Sequence, residues 1–236
     1  MKTIYHASDS RGKANHGWLN SFHTFSFANY YDPERVNFGA LRVLNDDTVS
    51  GGMGFGKHPH DNMEIVSIPL DGALEHQDSM GNKAIIKKGE VQLMSAGTGV
   101  THSEKNFDLK NTVKFLQIWI MPEKRNIQPR YEQEVFEAEG RKNAIQTVIS
   151  PIGSNDGGLK INQKAWFSLV DLSGEIKYDL KDKSNGVYVF VLEGDVEVEN
   201  QKLNRRDGFG VWEIGTLNLK TDTSAEILLM EVPMKF

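Results

Sequence analysis

The sequence predicts an all-β protein made of two consecutive β-barrels with few, short helices. Three observations support this fold class. The apolar residues fall in short runs, the runs are separated by Gly, Asn and Asp, and no long stretch shows the 3.6-residue period of a helix. The chain has 236 residues, 39% of them hydrophobic and 25% charged, so it can bury one large β core or two smaller ones.

Short apolar or alternating runs mark the predicted strands. In the first half they cover 41–44, 64–70, 84–87, 91–94 and 114–121, of which the last is the strongest. In the second half they cover 165–170, 186–192, 194–198 and 227–232. Strands of this length and spacing are typical of a sandwich or a barrel.

The two halves echo each other. Residues 69–75 and 191–197 each read as a strand, an acidic-Gly turn and another strand, which is the pattern of a hairpin. Residues 88–91 and 206–209 form a second pair of similar segments. Such internal repetition indicates duplicated barrels.

The stretch 122–133 is polar, contains Pro122 and Pro129, and predicts a linker between the halves. We therefore expect one domain over residues 1–130 and a second over residues 131–236.

Charge and composition exclude several classes of protein. The formal net charge is -5, whereas a dedicated nucleic-acid or anionic-membrane binder needs clustered Lys and Arg. The chain has no cysteine, which excludes disulfides, thiolate metal sites, iron–sulfur clusters and Cys nucleophiles. Because no signal peptide or apolar stretch of about 18 residues is evident, we expect a cytoplasmic protein without a membrane partner.

Two short dyads carry the strongest chemical signal. His58 and His60 are two residues apart, and His102 and Glu104 repeat that spacing with a carboxylate in the second place. Residues i and i+2 of a strand face the same side, so two dyads on neighbouring antiparallel strands bring four ligands to one point. Glycines crowd the segments before both dyads, where they allow the backbone to approach a ligand closely. The sequence therefore predicts one metal ion held by His58, His60, His102 and Glu104.

The donor set indicates which ions suit the site. Imidazole suits Zn, Cu, Fe and Ni, while oxygen ligands favour Mn and Fe. A histidine–carboxylate set with open positions is typical of non-haem Fe(II) oxygen chemistry, and a closed structural zinc site more often uses Cys. We favour Fe(II), with Mn, Ni, Cu and Zn as alternatives. The second half has no histidine after His102, so we expect no second site of this type.

The other candidate residues are weaker. Glu64 could be a fifth ligand or the true carboxylate, although i+4 on a regular strand lies ~13 Å from His60. His76 could orient a ligand, but a hydrogen-bonded histidine at a strand end is the simpler interpretation. His16 and His23 are interpreted as structural.

Five segments together resemble the pirin family of the cupin superfamily. The resemblance runs from about residue 15 to residue 132, and its anchors are 15–18, 58–60, 75–82, 95–104 and 117–122. It implies a bicupin: two jelly-roll-like barrels, a metal-binding cupin domain and a second cupin-like domain without metal. It also places the carboxylate role on Glu104, and the short second half resembles that of compact bacterial pirin-like quercetinases.

The resemblance implies two functions. The first is a quercetin 2,3-dioxygenase, in which the substrate is a small flavonol, the second substrate is O₂ and carbon monoxide is released. There Glu104 is the expected catalytic base, because a carboxylate beside a metal can take the substrate hydroxyl proton. The alternative is a metal-dependent regulatory or redox-sensing module that binds a partner protein, since fold and metal site do not fix function.

Overall fold

The computed structural model describes residues 1–236 and consists of twenty β-strands and two 3₁₀ helices, Ser8–Ser10 and Ala138–Arg141. The strands up to residue 135 are β1 (Lys2–His6), β2 (Gly12–Asn15), β3 (Leu19–His23), β4 (Leu41–Val49), β5 (Gly54–His60), β6 (Glu64–Asp71), β7 (Ala73–Asp78), β8 (Lys83–Lys87), β9 (Glu90–Ser95), β10 (Val100–Asn106), β11 (Val113–Ile120) and β12 (Arg130–Val135). The remaining strands are β13 (Gln146–Pro151), β14 (Leu159–Ile161), β15 (Trp166–Asp179), β16 (Asn185–Gly194), β17 (Val196–Val198), β18 (Gln201–Leu203), β19 (Gly208–Trp212) and β20 (Thr216–Pro233).

The all-β prediction is confirmed, and each of the nine predicted runs lies on these strands to within one residue at its ends, apart from 194–198, which spans the end of β16 and all of β17. β15 and β20 are much longer than the runs that predicted them. Neither helical segment is long enough or apolar enough to cross a bilayer.

Two sheets form the N-terminal barrel. A seven-stranded sheet has the order β12-β9-β6-β11-β4-β3-β2, and a four-stranded sheet has the order β5-β10-β7-β8. Apolar side chains from both sheets meet between them in a cluster that includes Leu19, Leu74, Ile86 and Phe115. The four-stranded sheet carries both predicted metal dyads, so this packing places them inside the barrel.

The C-terminal half forms a second barrel from one connected sheet. Its main order is β1-β19-β16-β20-β15-β13-β14, and β17 pairs with both β18 and β20. The pairing of β15 with β20 shifts register between Leu172 and Gly174, where Gly174 adopts a positive φ of 98°. A bulge at this point lets the two long strands serve both walls of the barrel.

Matching strand pairings confirm the predicted duplication. β6 pairs with β9 and β7 with β8 in the first half, as β16 pairs with β19 and β17 with β18 in the second. The two predicted hairpins, however, are wrong. β6 does not pair with β7, nor β16 with β17, because the chain turns at Gly72 (φ 77°) and Gly194 (φ 78°) and enters the other wall of its barrel. The glycine of an acidic-Gly turn can adopt a positive φ in a hairpin, and it can do so equally well where the chain passes from one wall of a barrel to the other.

The largest apolar cluster joins the two domains. It contains 26 buried residues, among them Leu44, Ile118, Phe167 and Phe190. Strand β11 shows why. Leu116 and Ile118 face this shared core, while Phe115 and Gln117, which alternate with them, face the interior of the first barrel. The seven-stranded sheet of the first barrel is therefore held on its outer face by the second domain.

Strand pairing also bears on the predicted linker. That prediction, residues 122–133, is wrong at its end, because β12 begins at Arg130 and pairs with β9. Tyr131 and Gln133 alternate with charged side chains there, and a strand at a sheet edge tolerates such polarity. In the other direction, β1 joins the C-terminal sheet beside β19, with Tyr5 opposite Phe209. The division into residues 1–130 and 131–236 stays a prediction, and each predicted unit contributes a strand to the other's sheet.

Candidate metal centre

The two dyads lie on neighbouring antiparallel strands. β5 pairs with β10, so that His58 stands opposite His102 and His60 opposite Val100. One ring nitrogen from each of His58, His60 and His102 lies within 4.8 Å of the others. Their ring centroids are 4.4–4.9 Å apart. The predicted meeting of the three imidazoles at one point is thus present in the fold.

A bulge in β5 orients His58. Between the pairs His102–His58 and Glu104–Phe55, the two residues Gly56 and Lys57 face a single residue of β10. The Nδ1 of His58 is 2.8 Å from the carbonyl oxygen of Gly56. Donation of Nδ1–H to that carbonyl leaves Nε2 as the free lone pair, which is the usual arrangement of a metal-binding imidazole.

His102 is the most enclosed of the three imidazoles. Its side chain is buried, and neither ring nitrogen has a hydrogen-bond partner. Burial, together with the neighbouring histidines, lowers its pKa to about 2, and burial lowers that of His60 to about 4. Both rings are therefore neutral at physiological pH, which is the form that binds metal. A buried imidazole without a hydrogen-bond partner lowers the stability of the fold, and a bound divalent ion would supply the missing partner.

Glu104 lies two residues from His102, on the same face of β10. The pairing of β10 with β7 is regular, with Glu104 opposite His76, and carboxylate and ring atoms of Glu104, His76 and His102 lie within 4.8 Å of one another. Ser67 Oγ donates to one carboxylate oxygen at 2.9 Å and Gln117 Nε2 to the other at 2.6 Å. Burial raises the pKa of Glu104, so it is a stronger base than a solvated carboxylate. Glu104 therefore shares a group with His102 but not with His58 or His60, and the set of four ligands stays a prediction.

The strand-end position predicted for His76 is wrong, whereas the predicted hydrogen bond is present. His76 lies within β7, is fully buried, and its Nε2 is 3.0 Å from a carboxylate oxygen of Asp78. Asp78 is itself held by Asn82. The Nδ1 of His76 has no partner. This carboxylate–histidine pair borders the candidate ligands, where it can orient them or take part itself.

Glu64 lies outside the candidate metal cluster. It begins β6 in the other sheet, and its Oε2 accepts hydrogen bonds from Ser95 Oγ at 2.7 Å and from the backbone N–H of Asn162 at 3.2 Å. Its Oε1 is buried without a partner. Glu64 therefore ties two strands of the first barrel to the C-terminal half.

The burial of Glu64 predicts how the free energy of unfolding depends on pH. Burial raises the pKa of Glu64 from 4.5 to about 7, so the folded protein holds this proton more tightly than the unfolded chain. The resulting stabilisation is complete below pH 4.5 and is lost as pH rises through 7, a loss of about 3 kcal/mol. Glu64→Gln should remove the part of this dependence that Glu64 contributes, because an amide does not titrate in this pH range. The fold should be kept, because the amide oxygen still accepts both hydrogen bonds. Chemical denaturation of metal-free protein from pH 4.5 to 8 measures it.

The exposed Glu134 provides the matched control. Glu134→Gln should keep the pH dependence of wild type. An unchanged slope of unfolding free energy against pH in Glu64→Gln would contradict the assignment.

A cavity of about 230 Å³ opens beside His58 and Glu104. Phe27, Phe55 and Trp119 supply its aromatic walls. The interpretation of His16 and His23 as merely structural is incomplete, because both line this cavity, as do Ala14, Leu19, Ser21, Ala28, Asn45, Asp47 and Gln117. The pKa of Asp47 is raised to about 7, mainly by burial and to a smaller extent by the charges of Asp46 and Glu104. The site thus combines aromatic walls with several buried polar groups.

Sequence reasoning missed Ser67, Asn45, Asp47 and Gln117. A signal was present, since Ser67 and Gln117 each interrupt one of the most apolar runs of the chain. A polar residue in a buried run marks either a hydrogen-bond network or a site.

Two family models match the chain, Pirin over residues 5–120 and the quercetinase C-terminal cupin domain over residues 147–232. The quercetin 2,3-dioxygenase of Escherichia coli (strain K12) is 45% identical over 230 residues, which are 96% of each chain. A pirin-like protein of Caulobacter vibrioides is 38% identical over 224 residues, 94% of this chain and 96% of the relative.

The solved structures agree with these relatives. The crystal structure of the bacterial pirin YhhW of Escherichia coli in complex with nickel(II) superposes with a TM-score of 0.92 and 42% identity, covering 98% of this chain and 99% of that one. The fold and both halves of the sequence agree with one assignment: the chain belongs to the pirin family of the cupin superfamily.

Proposed function

We propose that this protein is a dioxygenase that cleaves flavonols such as quercetin, using one divalent metal ion held by His58, His60, His102 and Glu104. The observation that carries the proposal is the position of these groups. Three imidazoles lie together on β5 and β10, and His58 and the buried Glu104 border a cavity with aromatic walls. The relative named quercetin 2,3-dioxygenase, identical at 45% of positions, supports the substrate class.

Fe(II) remains the ion we favour, because a histidine–carboxylate set with open positions suits oxygen chemistry. The nickel(II) complex of the related bacterial pirin supports Ni as an alternative. The second domain contributes no histidine or cysteine ligand, so one ion per chain is proposed. When bound, a divalent ion supplies a Lewis acid that holds and polarises an oxygen of the substrate.

The protein's own residues provide the remaining steps. A flat flavonol fits between the rings of Phe27, Phe55 and Trp119, which orient it and exclude water. Glu104 takes the proton of the 3-hydroxyl group, since burial strengthens the carboxylate as a base. Ser67 and Gln117 hold that carboxylate in place through one hydrogen bond to each oxygen.

The proposed reaction consumes one flavonol and one O₂. Two bonds of the central heterocycle break, both atoms of O₂ enter the organic product, a carboxylic ester of the two former rings, and one carbon leaves as carbon monoxide. The test is turnover of quercetin under ¹⁸O₂ with analysis of the headspace. We expect two ¹⁸O atoms in the ester product and one equivalent of carbon monoxide. Consumption of quercetin without carbon monoxide would contradict the proposal.

A further inference from the structure

A row of buried polar side chains crosses the inner face of the seven-stranded sheet. Ser67, Gln117, Asn45 and His23 are direct cross-strand neighbours on β6, β11, β4 and β3. All four are buried. Cross-strand neighbours point to the same face, and adjacent strands lie ~4.8 Å apart, so Gln117 and His23 are separated by about 10 Å.

The two ends of this row differ in their partners. At the end near the proposed metal site, Ser67 and Gln117 both donate hydrogen bonds to Glu104. At the far end, Asn45 Oδ1 and His23 Nδ1 are buried and have no hydrogen-bond partner. Asp47 lies beside them, two residues along β4 from Asn45.

We call Ser21, His23, Asn45 and Asp47 the distal cluster; all four line the cavity. Ser21 donates to one carboxylate oxygen of Asp47, and no protein group bonds to the other. The cluster thus offers acceptors on Asp47 and Asn45 together with an imidazole that can donate or accept. Buried groups of this kind require a partner, and the cavity is where one can enter.

We propose that the distal cluster recognises a hydroxyl group on the part of the substrate farthest from the metal, and so selects aromatic substrates that are hydroxylated at both ends. This inference rests on the proposed function, because it takes the metal end of the cavity as the place of reaction. A phenolic hydroxyl donates to Asp47 or Asn45 and accepts from His23. The aromatic walls between the two ends fit the apolar rings that join such hydroxyls.

The proposal makes a specific statement about flavonols. Quercetin carries two hydroxyls on its pendant ring. The otherwise identical flavonol without them has no group on that ring that can hydrogen-bond to the distal cluster. A site built to bond a hydroxyl rejects the analogue that lacks it, because its own polar groups are then left unpaired. We expect the nickel-loaded protein to bind quercetin about tenfold more tightly than that analogue, the effect of roughly one hydrogen bond.

The test is calorimetric titration of both flavonols, without oxygen, into nickel-loaded wild type, Asp47→Asn and Asp46→Asn. Asp47→Asn should reduce the tenfold preference to less than about threefold and leave the affinity for the analogue unchanged. Asp46 is the matched control: it lies on the same strand, and its carboxylate pairs with Arg11 at 3.2 Å and Arg206 at 3.4 Å and does not line the cavity. His23→Phe, which keeps the contacts of His23 with Phe27 and Tyr30, is the second variant should Asp47→Asn fail to fold.

The outcomes separate this inference from the proposed function. The role of the distal cluster is overturned if Asp47→Asn or His23→Phe keeps the full preference for quercetin over the analogue. It is also overturned if Asp46→Asn loses that preference equally. Both conclusions hold even where oxygen uptake proceeds. A preference that depends on Asp47 without any oxygen uptake overturns the dioxygenase proposal and supports the cluster as a recognition site. Absence of binding by either flavonol overturns both.

Discussion

His102→Ala is expected to lower metal affinity by more than about 100-fold, since loss of a group that merely orients a ligand already costs 10–100-fold. His102 belongs to both groups of candidate ligands, with His58 and His60 on one side and His76 and Glu104 on the other. No other side chain lies in both. The change removes a buried imidazole whose two nitrogens make no hydrogen bond in the fold, so its effect on folding should be small beside its effect on metal binding.

Competition with a chromophoric chelator measures this affinity, and the melting temperature of the metal-free protein checks the fold. His16→Ala is the control, because His16 is an exposed imidazole outside the candidate ligand groups. It should bind metal as wild type does. Equal metal affinity in wild type and His102→Ala would contradict the placement of the metal site on β5 and β10.

Glu104→Gln should reduce flavonol turnover by ~10²-fold or more at equal metal content, the usual effect of losing a general base. The amide keeps the shape of the side chain but is a poor base and a weaker ligand. It also places an NH₂ group against one of the two donors, Ser67 and Gln117, that now hold the carboxylate. The measurement is the initial rate of oxygen uptake with quercetin, corrected for bound metal.

Glu64→Gln is the matched comparison, because Glu64 is equally buried but bonds to Ser95 and Asn162. It should keep most of the activity. An inactive Glu64→Gln beside an active Glu104→Gln would show that the carboxylate function had been assigned to the wrong residue.

The elements that local pattern determines could be predicted. Apolar runs located strands such as β6 and β11. A strand buried on one face shows alternating apolar residues, and a strand buried on both faces shows a continuous apolar run. The i, i+2 spacing also predicted that each dyad shares one face, and the pairing of β5 with β10 confirmed that the dyads adjoin.

Features set by distant pairing could not be predicted. The short distance in sequence left Glu64 as a candidate ligand. The structure separates the two residues, because His60 lies on β5 and Glu64 on β6, in different sheets. The polar row likewise joins His23, Asn45, Ser67 and Gln117, which are up to 94 positions apart in the chain (117 minus 23) and meet through strand register alone.

The same limit explains the hairpin prediction. The turns at Gly72 and Gly194 were found from their sequences, yet the partner of the following strand depends on the barrel as a whole. Propensity and turn chemistry describe the turn itself, while the competition among distant strands decides where the chain goes next.

Stepwise loading of metal-free protein with Fe(II) tests the central claim most directly. The rate of oxygen uptake with quercetin is recorded as the ion is added in fractions of one equivalent. We predict a rate that rises linearly and stops rising at one ion per chain, because the proposed ligands His58, His60, His102 and Glu104 make up one site and no histidine follows His102. A rate that continues to rise up to two ions per chain, or that stays at zero throughout, would contradict it.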